Sequence, residues 1–176
     1  MNAQDVLDFW FSRPKAWFEK NPAFDAEIRS RFLSLFEVAV SGKIEQWKNQ
    51  PAGCLALVIV LDQFPRNMFR GSARAFAGDA MGLDTARFAV ARKYDESFSK
   101  DQKTFLYLPF EHSESLADQE LCCKLMAPLG DDLLQWAERH RAIIARFGRF
   151  PHRNAALGRA STPEEIEFLK QPGSGF

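Results

Sequence analysis

Apolar residues recur at helical spacing along nearly the whole chain, and this pattern limits the fold more than any other sequence feature. Between positions 24 and 40 they repeat every three or four residues, with Asn21 and Pro22 before them and Gly42 after them. Those flanking residues are typical start and stop signals of a helix. Positions 51–63 are apolar almost all round, as expected for a helix at the centre of a bundle. Convincing strand-type alternation is absent, so the pattern predicts an all-α protein.

The remaining helices and their connections predict the domain organisation. A capping box at positions 162–165 begins a C-terminal helix, and the connections between helices look short, which favours antiparallel neighbours. The length of 176 residues suits one domain, and 17 phenylalanines supply a core without help from a metal or disulfide. We predict a single domain over residues 1–176, a bundle or array of about seven to eight helices. Further predicted helices cover the region around 6–11 and residues 76–93, 100–108, 116–127 and 132–147.

Charge and cysteine content exclude several classes of function. The 23 basic and 23 acidic side chains cancel, which argues against nucleic-acid and anionic-membrane partners. The longest apolar run, 54–61, is too short to span a bilayer, and the acidic N-terminus is unlike a signal peptide. The odd count of three cysteines suits a reducing compartment. We therefore expect a cytoplasmic protein.

Three motifs place ionisable side chains directly after an apolar, helix-like segment. They occupy positions 63–67, 108–114 and 149–154. Phe64 and Phe150 each precede a proline, which disfavours helical geometry, so both helices are predicted to end there. Ionisable groups at such positions are costly to bury unless they are paired or used. The motifs therefore predict a polar cleft shared by three distant parts of the chain.

Two buried-face positions carry specific expectations. Asp62 falls on the most apolar stripe of its helix and near the C-terminal end, where a carboxylate needs a cation such as Arg66 or Arg70. His140 lies among the core-facing residues of its helix. For it we predict a neutral core histidine bonded to a backbone carbonyl.

Arginine usage favours recognition of an anion. From position 139 to 163 there are six arginines and two histidines but no acid, and both Phe-Pro motifs use arginine alone as the permanent cation. The guanidinium group suits bidentate carboxylate or phosphate partners. We predict a small anionic ligand of that kind. The candidate ligand-binding residues are Asp62, Arg66, Asn67, Arg70, Glu114, Arg149, His152, Arg153 and Asn154.

Glu111, His112 or Glu114 would carry acid–base chemistry, with Asp62 or Asp79 as a second carboxylate, and Glu111 and His112 are the catalytic candidates. Glu114 alternatively complements the N-terminus of the next helix. The sequence names no reaction and leaves open whether the protein is an enzyme. It predicts no metal site, because the three histidines lack the spacing of zinc and di-iron ligands, and it predicts no cofactor. The serine-nucleophile and phosphate-loop motifs are also missing.

Two other interpretations of the motifs stay open. The arginines can satisfy helix-end carbonyls or form a buried ion-pair network with Asp62, Asp79, Glu111 and Glu114. Alternatively, the protein is a non-catalytic scaffold that binds a peptide or partner protein. That scaffold would need an exposed groove, with Trp17, Phe18 or Trp47 as candidate lining residues.

The three motifs in their wider context resemble the bacterial family called domain of unknown function 924. The resemblance covers essentially the whole chain, and it is carried by positions 61–71, 106–114 and 146–154, with 6–11 and 158–165 near the ends. It implies an all-α fold similar to tetratricopeptide-like helical arrays, and it implies no activity. No 34-residue period is visible here, so any likeness to tetratricopeptide repeats concerns architecture rather than repeat consensus.

Overall fold

The structure is a computed structural model that describes residues 1–175, and its regular structure in that range is entirely helical. The all-α prediction is confirmed. Two of the nine α-helical segments in this range, Pro51–Val58 and Phe64–Met68, are joined without a break by a π turn. Residues 1–175 therefore form eight continuous helices, as predicted. None of these helices has the length and apolar character needed to cross a bilayer. The helices are α1 (Ala3–Phe11), α2 (Pro22–Val40), α3 (Pro51–Val58), α4 (Phe64–Met68), α5 (Asp79–Ala91), α6 (Lys100–Glu111), α7 (Leu116–Met126), α8 (Asp131–Phe147) and α9 (Pro163–Leu169).

The chain divides into two compact units. The first comprises Met1–Arg70 and Arg74–Pro109, and the second comprises Gly71–Ala73 and the chain from Phe110 onward. The single domain over residues 1–176 and the tetratricopeptide-like arrangement stay predictions.

The first unit is built around α3, which packs against α1 and α5, while α4 packs against α2. Residues 53–58 of α3 are all buried, as the apolar sequence predicts for a central helix. Aromatic rings fill the space around it. The Phe32 and Phe64 ring centroids lie 4.6 Å apart, and those of Trp10 and Phe105 lie 5.3 Å apart.

The second unit has a smaller core in which α7 packs against α8. Ile143, Ile144 and Phe150 are buried together, with Phe147 packed against them. Helix α8 ends at Gly148, whose φ of +69° is a conformation that glycine adopts without strain. The predicted capping box forms at the start of α9.

The prediction that the first Phe-Pro pair ends its helix is wrong. Phe64 keeps helical angles, φ −58° and ψ −43°, and the helix runs on to Met68. The reason is the π turn Ile59–Gln63, in which the amide of Phe64 donates to the Ile59 carbonyl oxygen, five residues earlier. This wider turn leaves room for the Pro65 ring, which would clash in a regular α-helix.

Helices α5 and α6 also have boundaries that differ from the prediction. Helix α6 passes through Pro109 and ends at Glu111, because burial of its apolar residues offsets the hydrogen bond that proline removes. Helix α5 begins at Asp79 rather than at Phe76, which belongs to a preceding 3₁₀ turn. In contrast, Phe150 is extended, with φ −90° and ψ 107°, so the predicted helix break before Pro151 is confirmed.

Candidate functional site

The first motif forms an ion-pair network inside the first unit. Asp62 is fully buried in the π turn, and Arg66 Nη1 lies 3.2 Å from Asp62 Oδ1, so the predicted cation for this carboxylate is confirmed. The Arg66 guanidinium also donates to both oxygens of Asp79, at 2.8 and 3.1 Å. Burial alone would lower the pKa of Arg66, but the charges of Asp62 and Asp79 outweigh it and raise that pKa.

A second carboxylate binds the end of the same motif. Asp25 Oδ1 accepts a hydrogen bond of 2.7 Å from Asn67, and Arg70 donates to both Asp25 oxygens at 2.6 and 2.9 Å. Burial would raise the pKa of Asp25, but these donors outweigh it and lower that pKa. Asn67, Arg66 and Arg70 each bind an internal carboxylate, which favours the structural interpretation of the first motif.

In the second unit, Glu114 joins the second motif to the third. Its carboxylate accepts 2.7 and 2.9 Å hydrogen bonds from the Arg159 guanidinium and a 2.8 Å hydrogen bond from the Phe150 amide. Burial would raise the pKa of Glu114, but the hydrogen bonds from Arg159 and Phe150 lower it. Glu114 is thus engaged by a residue 45 positions away along the chain. Ser115, the next residue, occupies the N-cap position of α7 without a capping side-chain hydrogen bond.

Arg149 and Asn154 of the third motif converge on Glu165. Arg149 donates to its two oxygens at 2.7 and 2.8 Å, and Asn154 Nδ2 donates at 3.2 Å. Glu165 also accepts from the Thr162 amide in the capping box, so one carboxylate serves a helix cap and an arginine fork. The hydrogen bond from Arg149 leads the causes that lower the pKa of Glu165 to about 2.

His140 and His152 lie beside the buried Phe150 ring, and His112, the third histidine of the chain, lies beside His140. The His140 ring centroid is 5.7 Å from Phe150 and 6.4 Å from His112, and the His152 ring is 5.6 Å from Phe150. The Arg153 guanidinium sits over the same Phe150 ring at 4.5 Å, with the residue only 6% exposed. We call His112, His140, His152, Arg153 and Phe150 the histidine–arginine cluster.

His140 is the neutral core histidine that the sequence predicts. Its Nδ1 donates to the Trp136 carbonyl oxygen at 2.8 Å. Burial is the largest cause that lowers the pKa of His140 to about 3, and nearby His112, His152 and Arg153 lower it further. The neutral ring with a proton on Nδ1 leaves Nε2 as a hydrogen-bond acceptor.

Glu111 borders the cluster. It is 6% exposed, and its Oε1 lies 3.5 Å from His140 Nδ1. His112 and His152 are half-buried. The second and third motifs therefore meet within the second unit, whereas the described contacts of the first motif lie within the first unit. One cleft shared by all three motifs stays a prediction.

Several residues that contact the three motifs were not predicted from the sequence. Asp25, Asp118 and Gln119 contact motif residues but carry no local signal, because an acid in the first turn of a helix or a glutamine on an apolar helix is common. Their partners become visible only when the helices pack. Arg159 and Glu165 did carry sequence signals, since they flank or form the capping box.

Within residues 1–175, no group of three or more histidine, cysteine, aspartate or glutamate side chains is arranged to hold a metal ion. A shallow depression of about 550 Å³ opens on the first unit, away from the predicted site residues. Its lining residues are Ser12, Arg13, Pro14, Lys15, Ala16, Asn21, Ala23, Phe24 and Glu27.

Comparison with known proteins identifies the family. The family model described as "Bacterial protein of unknown function (DUF924)" matches residues 6–173. A solved structure of the protein of unknown function ATU0120 from Agrobacterium tumefaciens is 44% identical, covers 96% of each chain and superposes with a TM-score of 0.92. No match was found among curated proteins. The chain therefore belongs to the bacterial family of proteins of unknown function DUF924.

Proposed function

We propose that the protein binds a small anionic ligand, a carboxylate or a phosphate, at the histidine–arginine cluster of the second unit. The observation that carries the proposal is that Arg153, His140 and His152 lie against the Phe150 ring, with His112 beside His140. A cluster of this composition offers guanidinium and imidazole N–H donors in a partly dry setting. Such donors bind oxyanions more strongly there than in water.

The arginines outside the cluster explain why the proposed site is confined to it. Arg66, Arg70, Arg149 and Arg159 hold Asp79, Asp25, Glu165 and Glu114 in bidentate ion pairs. These pairs fix the turns around the motifs. All four arginines are therefore assigned to the framework of their own unit rather than to ligand contacts.

Glu111 and His112 are the groups we propose for acid–base work on a bound ligand. Glu111 is buried beside neutral His140, and the ring of half-buried His112 lies 6.4 Å from that of His140. A carboxyl group and an imidazole that both lie near His140 can take and return a proton. The three free cysteines fit the cytoplasmic location that we expect for such a protein.

Thermal-shift titration with inorganic phosphate and malonate tests the proposal. A ligand that binds only the folded state stabilises it by about 2.7 kcal/mol at a hundredfold excess over Kd. Arg153→Lys keeps the charge but loses the planar guanidinium group. We therefore expect the anions to raise its melting temperature less than that of wild type, while its melting temperature without ligand is nearly unchanged. Arg146→Lys, at an exposed arginine paired with Glu164 in the same unit, is the matched control.

Two results would count against anion binding. If neither anion stabilises the wild-type protein, the proposal is wrong. A large loss of stability in Arg153→Lys, with ligand binding per folded molecule unchanged, would instead assign the cluster to a buried network that specifies the fold.

A second candidate function, binding of a peptide or partner protein, is favoured by one specific observation. Phe18 is 73% exposed although it stacks on Phe105, with ring centroids 6.0 Å apart, and it follows the 3₁₀ turn that lines the depression of the first unit. The other two residues expected in a groove, Trp17 and Trp47, are half-buried. A tetratricopeptide-like array, which the family resemblance implies, would suit this role.

Affinity capture separates this candidate from anion binding. The partner-binding function requires that wild-type protein retain one partner at stoichiometric yield and that Phe18→Ser lose it while anion binding is unchanged. Equal capture by both proteins would exclude Phe18 as a contact residue.

A further inference from the structure

Gln119 contacts the backbone of the turn that carries the second motif. It belongs to α7 and is completely buried. Its Nε2 donates to the backbone carbonyl oxygens of Glu111 at 2.6 Å and Ser113 at 2.7 Å, and a third carbonyl, that of Phe110, lies at 3.4 Å.

These contacts close the C-terminal end of α6, which ends at Glu111. The last carbonyl groups of a helix have no partner within the helix. The two protons of a side-chain amide match the two short contacts, so Gln119 supplies one donor to the last residue of α6 and one to the turn that follows it. The Oε1 atom of Gln119 is buried without a hydrogen-bond partner among residues 1–175. Burying a side-chain amide whose oxygen lacks a hydrogen bond costs free energy. That cost indicates that the two N–H donors of the amide have a specific use.

A second contact from α7 restrains the same turn. Ser113 Oγ donates to Asp118 at 2.6 Å and accepts from the Ser115 amide at 3.2 Å. Asp118 and Gln119 are neighbours in sequence, so one turn of α7 holds both ends of residues 111–115.

We propose that Gln119 is a positioning residue of the anion site: by fixing the backbone of Glu111 and Ser113 it sets where His112 and Glu111 stand relative to His140. This inference rests on the proposed function and assigns to that site a residue that does not touch the ligand. Because the turn has no regular secondary structure after α6, its conformation depends on these side-chain donors.

The test compares Gln119→Met and Gln119→Glu with wild type by two measurements. Both variants keep the shape of the side chain, but the first removes the donors and the second places an acceptor against two carbonyl oxygens. Calorimetric titration with inorganic phosphate should show affinity reduced at least tenfold in both variants. Hydrogen exchange at the amides of residues 112–115 should accelerate at least tenfold while exchange in α8 stays unchanged.

The controls separate positioning from loss of stability. Met126→Ala removes a fully buried side chain from the same helix, so it destabilises the unit without touching the turn, and it should bind phosphate within twofold of wild type. At pH 5 the carboxyl group of Gln119→Glu is protonated and regains one donor. The phosphate affinity of this variant, compared with wild type at the same pH, should therefore recover, whereas that of Gln119→Met should not.

Each outcome has a defined meaning. Unchanged phosphate affinity in Gln119→Met, or unchanged exchange of the turn, would overturn the role of Gln119. Wild-type protein that fails to bind phosphate while the turn still loosens in Gln119→Met would show that the proposed function failed and that Gln119 is only structural. Equal loss of affinity in Met126→Ala would also overturn the proposal, because stability alone would then explain the effect.

Discussion

Arginines of the first and third motifs bind carboxylates within the protein, and the degree of burial sets how much each pair contributes to stability. Asp62 is fully buried, so its charge depends on Arg66, whereas the pair of Arg87 and Asp84 is exposed to water, with side chains 48% and 68% accessible. Removing one partner of a buried pair leaves a desolvated charge, and removing one partner of an exposed pair does not.

We expect Arg66→Met to lower the free energy of unfolding by about 3–5 kcal/mol, because Asp62 and Asp79 lose their cation. Urea unfolding followed by circular dichroism measures the change. Arg87→Met is the matched control, with an expected change of about 0.5 kcal/mol or less. Similar losses in the two variants would contradict the structural role of the first motif.

The ion pair of Glu165 and Arg149 should give the protein a defined acid sensitivity. The pKa of Glu165 is held at about 2 in the folded protein, below its ordinary value of 4.5. A depressed carboxyl pKa contributes stability that is fully present above pH 4.5 and is lost as pH falls toward 2.

Glu165→Gln should therefore lower the free energy of unfolding at pH 7 by about 1–3 kcal/mol, with the difference from wild type disappearing near pH 2. Urea unfolding at pH values from 7 down to 2 measures this dependence. Glu167→Gln, an exposed acid on the same helix, should change stability by no more than about 0.5 kcal/mol. A pH-independent difference for Glu165→Gln would show that the effect is not electrostatic.

At the scale of elements, the π turn lies close to two glycines, Gly78 at the N-cap of α5 and Gly82 within that helix. A Cβ atom on Gly78 would lie 2.2 Å from the Leu61 carbonyl oxygen, closer than atoms can pack. A Cβ atom on Gly82, one helical turn later, would lie 3.6 Å from the Leu61 Cβ atom, an ordinary contact. The backbone approach therefore depends on Gly78 alone.

Gly78→Ala should destabilise the protein by about 1–3 kcal/mol through overpacking, as measured by thermal unfolding. Gly82→Ala should be neutral or stabilise by up to about 1 kcal/mol, because alanine favours the helix and fills no occupied space. Equal effects of the two substitutions would contradict the close approach at Leu61.

At the scale of the whole molecule, the buried cysteines report on each compact unit separately. Cys54 lies in the first unit, and Cys122 in the second, and neither exposes its side chain. Burial raises the pKa of the Cys54 thiol to about 11 and also raises that of Cys122, so both should resist thiol reagents in the folded protein.

In a Cys123→Ser background, the reactivity of Cys54 and Cys122 toward a thiol reagent should rise at the same urea concentration if residues 1–176 unfold as the predicted single domain. Mass spectrometry of the labelled peptides distinguishes the two sites. Distinct midpoints would show that the two units unfold separately. Labelling of either thiol without denaturant would contradict the burial described above.

Local chemistry was sufficient to predict the helices, most of their ends and the environment of single residues. The start of α2 at Asn21, the end of α8 at Gly148 and the capping box of Thr162 and Glu165 depend on neighbours within about four positions. The carbonyl partner of His140 is four residues away on the same helix. Such contacts are encoded by spacing alone, and the sequence by itself therefore determined the all-helical fold.

Packing between helices decided which charged groups meet. Glu114 and Arg159 are 45 positions apart, as are Arg70 and Asp25, and no spacing rule connects such residues. Tertiary packing also overruled the rule that Phe-Pro ends a helix, because the buried π turn accommodated Pro65. Long-range pairs form only after chain entropy has been overcome by burial of apolar surface, so the long-range ion pairs and the histidine–arginine cluster were visible in the tertiary structure alone.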